Sequence, residues 1–177
     1  MKPSSDVAFS PAVKRVQAER GSRAAYARVE AHGGFRVAVD DELRAFLAEI
    51  DTAFLATASA DGQPYVQHRG GAKGFIRAID DHTLAFVELT GNRQYVTAGN
   101  LTENDRVCLL LMDYAHRRRV KVWGTARMVG DELRIAVTAW DINCPKHIPQ
   151  KVDAAEAASV IARLRARIAE LEARLGA

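Results

Sequence analysis

The chain reads as mainly β with peripheral α-helices, an antiparallel barrel with a long helix at its C-terminal end. Three observations predict this. Six or seven short apolar, β-rich runs follow one another between Ala53 and Ile142 with turn signals between them. Helical periodicity concentrates towards the two ends of the chain. Most of the strand-like runs have no long helix between them, which argues against a doubly wound parallel sheet and for hairpin connections closing into a barrel. At 177 residues the chain is expected to form one domain: a helical arm over 1–50, a barrel over 51–150 and a terminal helix over 151–177.

Residues 1–10 read as a loosely structured arm. A helix is expected over 11–31, with Pro11 near its first turn, Gly33-Gly34 as its stop and Gly21 weakening or splitting its middle. A second helix is marked by Leu43, Phe46, Leu47 and Ile50 on one face and by Asp40, Asp41 and Glu42 at its start.

The strands follow in order. Ala53–Ala58 and Pro64–His68 flank the hairpin signal Asp61-Gly62. Phe75–Ile79 and Thr83–Leu89 flank the turn Asp80-Asp81-His82, and a short helix is expected from Asn92 through Glu103. Val107–Asp113 is apolar enough for a central strand. In Arg117–Val129, Val120, Val122, Ala126 and Met128 share one face, while Arg119, Lys121, Trp123 and Thr125 share the other. Leu133–Ile142 admits a helix, but Ile135, Val137 and Thr138 favour a strand.

The last helix is expected over Asp153–Leu175. Asp153 with Glu156 fits a capping box, Asp standing for Ser or Thr. Ile161, Leu164, Ile168, Leu171 and Leu175 repeat with 3-4 spacing, the seam of a coiled coil. This stripe would dock either on the domain's own body or on a partner subunit.

Composition narrows the function classes. With 48% hydrophobic and 27% charged residues the chain resembles an ordinary soluble domain, and its net charge of +3 permits an anionic ligand without demanding nucleic acid. Cys108 and Cys144 are too few for a disulfide framework, and Cys108, in an apolar run, reads as core. No apolar span is long enough to cross a membrane and the N-terminus lacks a signal-peptide core, so a cytoplasmic location is expected.

The chemistry concentrates between Gln67 and Asn104. Gln67-His68-Arg69-Gly70-Gly71-Ala72-Lys73-Gly74-Phe75 and, past one strand, Gly91-Asn92-Arg93-Gln94 are basic, glycine-bearing turns beside strands. Free N–H groups, a helix dipole and a guanidinium at Arg93 suit a phosphate, and the glycines let a flat ring system approach the backbone. A cation at a helix start opposes the dipole, which favours a ligand role for Arg93 over a structural one.

Phe54-Leu55-Ala56-Thr57-Ala58 with Asp61-Gly62-Gln63-Pro64, Gly91-Asn92-Arg93-Gln94 with Asn100-Leu101 and Asn104-Asp105-Arg106-Val107, and Arg119-Val120-Lys121-Val122-Trp123-Gly124 together resemble the pyridoxamine 5′-phosphate oxidase-like FMN-binding split barrels, over roughly residues 40–150. Trp140–Ile148 resembles a motif of an uncharacterised branch of that family. The resemblance implies an antiparallel split β-barrel of the FMN-binding type, and a homodimer with FMN at its interface. By position, Asn92, Arg93 and Gln94 would hold the FMN phosphate; Lys73, Gly74 and Phe75 would run along the isoalloxazine; Arg77 would face the flavin, and Arg69, on the basic hairpin, is a further candidate for flavin contact. Arg119 stands where better-known oxidases carry glutamine, and Asn143 through His147 would approach from the other subunit. The true oxidases end in an arginine- and histidine-bearing tail, whereas this chain ends in an amphipathic helix without histidine. The expected function is therefore an FMN-dependent oxidoreductase acting on a small molecule other than pyridoxamine phosphate, with NADH or NADPH as a candidate donor. The alternatives are a flavin- or haem-binding carrier or sensor, or a deazaflavin-dependent reductase.

Blander readings stand beside these. Arg69 and Lys73 also suit plain solvated positions, and His68 at a strand end suits a structural role. Arg117-Arg118-Arg119-Val120-Lys121 alternates as a barrel strand does and has no aromatic platform except Trp123, so nucleic-acid binding is not expected. Cys144 and His147 have a C-x-x-H spacing, but two further ligands are not evident, so no metal site is expected. No side chain stands out as catalytic.

Overall fold

The computed structural model describes residues 2–142 and 145–176. Its strands are β1 (Thr52–Ala58), β2 (Pro64–Gly70), β3 (Arg77–Ala78), β4 (Thr83–Val87), β5 (Arg106–Asp113), β6 (Arg118–Val129) and β7 (Glu132–Ile142). They form one seven-stranded sheet in the order β2-β1-β5-β6-β7-β4-β3, antiparallel at every pairing. Thr52 lies opposite Met112, and Val87 opposite Glu132. The segment whose pattern admitted a helix, residues 133–142, is strand: Leu133 and Ile135 point into the core with no exposed surface.

Alternation builds the interior. Ala53 and Leu55 of β1, Leu109 and Leu111 of β5, and Val120 and Val122 of β6 all turn inward. Helix α3 (Asp41–Glu49) packs Leu43, Phe46 and Leu47 onto this core, and the Asp40 side chain caps it by accepting from the Leu43 N–H at 3.0 Å. Trp140 is fully buried; its Nε1–H donates to the Ala38 carbonyl at 2.7 Å, which fixes the chain as it enters α3.

The sheet is curled at a bulge between Trp123 and Gly124. A Cβ on Gly124 would run into the carbonyl of Ala136, so only glycine allows this close crossing of β6 and β7. By backbone pairing the sheet stays open, with β2 and β3 as its edges. Side chains span the gap. Arg69 on β2 pairs with Glu88, just past β4, at 2.7 Å and also donates to Thr97 Oγ1 at 3.0 Å. Helix α4 (Val96–Glu103) sits beside this seam, its Asn100 donating to Thr57 Oγ1 on β1 at 2.9 Å. The result is the expected split barrel.

Several expectations shift. The helix expected over 11–31 is two, α1 (Pro11–Glu19) and α2 (Arg23–Ala31), broken at Gly21 with φ 77°. The N-terminal arm is not loose: Ser4–Val7 forms a 3-10 turn, Ser5 is fully buried, and the Ser4 N–H donates to the Gly33 carbonyl at 3.0 Å. The strand expected over Phe75–Ile79 shrinks to β3, because a turn precedes it in which Phe75 N–H donates to Ala72 O and Gly74 N–H to Ile50 O. The helix expected from Asn92 begins only at Val96. Cys108 is half-buried rather than core, since Val107 and Leu109 take the inward positions on either side of it.

The last helix, α5 (Ala154–Leu175), starts where its cap predicts, Asp153 accepting from the Glu156 N–H at 2.9 Å; none of its residues is buried. Among the described residues no helix is long and apolar enough to cross a membrane.

Candidate functional site

The segment between β4 and α4 shapes a cleft of about 290 Å³ lined by Thr90–Thr97 together with Tyr65, Gln67 and Glu88. Its backbone is unusual. Arg93 (φ 61°) and Tyr95 (φ 53°) both take the left-handed conformation, uncommon for residues with a Cβ. The Asn92 side chain accepts from the Gln94 N–H at 3.3 Å, and the Arg93 N–H donates to Thr90 O at 3.3 Å. Tyr95 is the N-cap residue of α4 but supplies no side-chain cap, and the first turn of α4 holds no acidic residue. Uncapped N–H groups at the positive end of a helix, with an exposed arginine in the turn before them, form a donor set for an anion.

Behind this turn lies a buried polar network. The Arg69 side chain is 10% exposed and pairs with Glu88, while Thr97 Oγ1 donates to Gln67 Oε1 at 3.1 Å. Burial pushes the Glu88 carboxyl above its ordinary value, and the adjacent Arg69 guanidinium pulls it back only in part. Arg69 Nε and Glu88 Oε2 are buried without a partner among the described residues. Arg69 is thus charge-matched by Glu88, and the cleft's unmatched positive character comes from Arg93 and the α4 terminus. The sequence reading missed Glu88 and Thr97. Only their place across the barrel seam, far from Arg69 along the chain, gives them this role.

The other expected site residues are dispersed. Lys73 lines a second cleft, of about 700 Å³, with His68, Asp113 and His116, and pairs with Glu49 at 3.5 Å. Phe75 packs against the core edge-on to Phe86, 6.2 Å between centroids, and Gly74 sits in the left-handed turn (φ 78°) that delivers it. Arg77, at the far edge of the sheet, pairs with Glu132. Arg119 lies on β6 opposite Met112, its Nε buried and without a partner among the described residues. His147 is exposed in a turn with φ 66°; Asn143 and Cys144 lie outside the described residues. The structure therefore gathers Asn92, Arg93 and Gln94 at one cleft, sets Arg69 behind it against the lining residues Glu88 and Thr97, and places Lys73, Phe75 and Arg77 elsewhere.

In the second cleft, Asp113 is buried and accepts from the His116 backbone N–H at 3.0 Å and from Arg118 at 2.7 and 3.0 Å. Burial alone would raise its carboxyl, but these donors hold it below the usual carboxylate range. A third cleft, about 630 Å³, is lined by Trp123 and by Cys108, whose thiol is pushed up by burial and so is not activated as a nucleophile. Among the described residues no group of three or more His, Cys, Asp or Glu could hold a metal ion.

A family model described as pyridoxamine 5′-phosphate oxidase matches residues 39–168. The chain belongs to the pyridoxamine 5′-phosphate oxidase family. No curated protein matches it. Among solved structures it is similar to HupZ from Group A Streptococcus (18% identity, TM-score 0.48, covering 64% of this chain and 98% of that one). It is also similar to a pyridoxamine 5′-phosphate oxidase candidate from Lactobacillus delbrueckii (18%, 0.46, 60% and 95%). A third is HutZ, the haem storage protein of Vibrio cholerae (16%, 0.40, 59% and 94%). Likeness this distant says nothing of ligand or activity.

Proposed function

We propose that the chain is an FMN-binding flavoprotein that acts as an oxidoreductase on a small molecule, with the FMN phosphate held at the turn before α4. The observation that carries this reading is the donor set of that turn: the uncapped α4 terminus, left-handed Arg93 and the Asn92–Gln94 segment. Family membership supports a flavin as the ligand. Arg93 supplies the charge-assisted bond to the phosphate, and the free N–H groups of α4 complete its shell. The Arg69–Glu88 pair contributes position rather than net charge, holding β2 against the turn. FMN, when bound, supplies hydride and electron transfer, while the protein sets orientation and electrostatics.

The visible spectrum of the purified protein tests this, followed by denaturation and identification of whatever is released. Bands near ~370 and ~450 nm with FMN set free support the reading, and anaerobic bleaching by NADH or NADPH supports turnover. A flavin that no donor reduces indicates a carrier. A deazaflavin or haem spectrum, or no uptake of added FMN, overturns the assignment.

A further inference from the structure

Helix α5 presents an apolar stripe to solvent. Ile161, Leu164, Ile168 and Leu171 are 49%, 58%, 54% and 40% exposed, and Leu175 88%. At roughly 33 Å for its 22 residues, from the standard rise per residue, this is the longest helix described, and a stripe so placed marks an interaction surface. The width of the stripe says which kind. A helix that packs on a globular body shows a broad apolar face, taking in the e or g positions beside a and d; a coiled coil shows the narrow a/d seam. From Ile161 onward the seam here is narrow. With Ile161, Ile168 and Leu175 at a, and Leu164 and Leu171 at d, the flanking e and g positions are Arg165, Arg167, Glu172 and Arg174, all charged.

We infer that α5 pairs with α5 of a second copy of this chain as a parallel, in-register two-stranded coiled coil. Two observations choose this occupant. Isoleucine at the first two of these a positions with leucine at d is the combination that favours two parallel strands. In that arrangement the g residue of one heptad faces the e residue of the next heptad on the partner helix, so Arg167 of each copy meets Glu172 of the other, giving two symmetric attractive pairs. Within a single copy Arg167 pairs with Glu170 at 2.6 Å, and Glu172 lies five positions away, out of reach along one helix face. The pairing is independent of the flavin reading.

The test is a charge-swap cycle in the full-length protein, read by sedimentation velocity across a dilution series. Both positions are on the exposed helix, so the barrel folds in every variant, which circular dichroism checks. Arg167→Glu and Glu172→Arg each place like charges across the seam and are expected to weaken self-association several-fold; the double variant R167E/E172R restores it. A disulfide test fixes orientation: Ile161→Cys, at one end of the seam, is expected to give a covalent dimer under mild oxidation, beyond any background from the native cysteines in the parent protein, because only parallel helices bring the two copies of this position together. Single variants that associate as the parent does, a double variant that fails to recover, or no added covalent dimer from I161C each overturn the parallel pairing. The second and third outcomes would fit an antiparallel pair or docking on the barrel.

Discussion

Arg69 and Glu88 lie on opposite sides of the gap in the sheet, and their 2.7 Å contact joins the β2 edge to the segment leaving β4, where no backbone pairing does so. The pair is mostly buried, and one polar atom of each partner is unmatched among the described residues. Removing one member leaves a desolvated charge. Arg69→Leu is expected to cost about 3 kcal/mol, the low end of the range for broken buried pairs because Glu88 keeps some solvent contact. The double variant R69L/E88L is expected to cost less than the sum of the two single changes, as measured by urea unfolding.

Arg93→Ala tests the anion site without touching the core. The expected loss of FMN affinity is about 1–3 kcal/mol, the scale of one charge-assisted hydrogen bond, with the unfolding midpoint unchanged. Unchanged affinity in a flavin titration would remove Arg93 from the phosphate shell.

Gly124→Ala puts a methyl group against the Ala136 carbonyl at the β6–β7 bulge. The strands must separate or the bulge must move, at a cost of about 2–3 kcal/mol, visible as a lowered melting temperature. An alanine variant as stable as the parent would show that β6 crosses β7 with room to spare.

Asp113 sets an acid limit on stability. Its folded carboxyl is held below its ordinary value, so its contribution is complete above the unfolded value of about 3.9 and is lost as pH falls through the lower folded one. Asp113→Asn is expected to destabilise the protein at neutral pH by about 1–2 kcal/mol, with the gap to the parent narrowing under acid. A constant gap between pH 7 and pH 2 in denaturant titrations would contradict this.

Where structure follows from neighbours in sequence, the sequence was readable. The β6 alternation, the acidic start of α3, the Asp153 cap and the break at Gly21 are local, and each is found in place. The misses depend on partners far along the chain. Ser4 is held by Gly33 and Phe35, which no local pattern announces. The start of α4 was misjudged because Gly91-Asn92-Arg93 suits a helix entry as well as it suits a left-handed turn. The Arg69–Glu88–Thr97 network spans the barrel, so its members looked like unrelated polar residues.

The strand order also sets a folding sequence. β1–β2 and β5–β6–β7 close short loops and can form early, while β1–β5 and β4–β7 bring together residues such as Thr52 with Met112 and must wait for larger closures. The charged latch at the seam needs both distant pairings in place, so it snaps shut last on refolding and lets go first on unfolding. On the proposed reading of the turn before α4 as a phosphate site, that site is completed only when the rest of the barrel is made, and flavin capture would report the final step of folding.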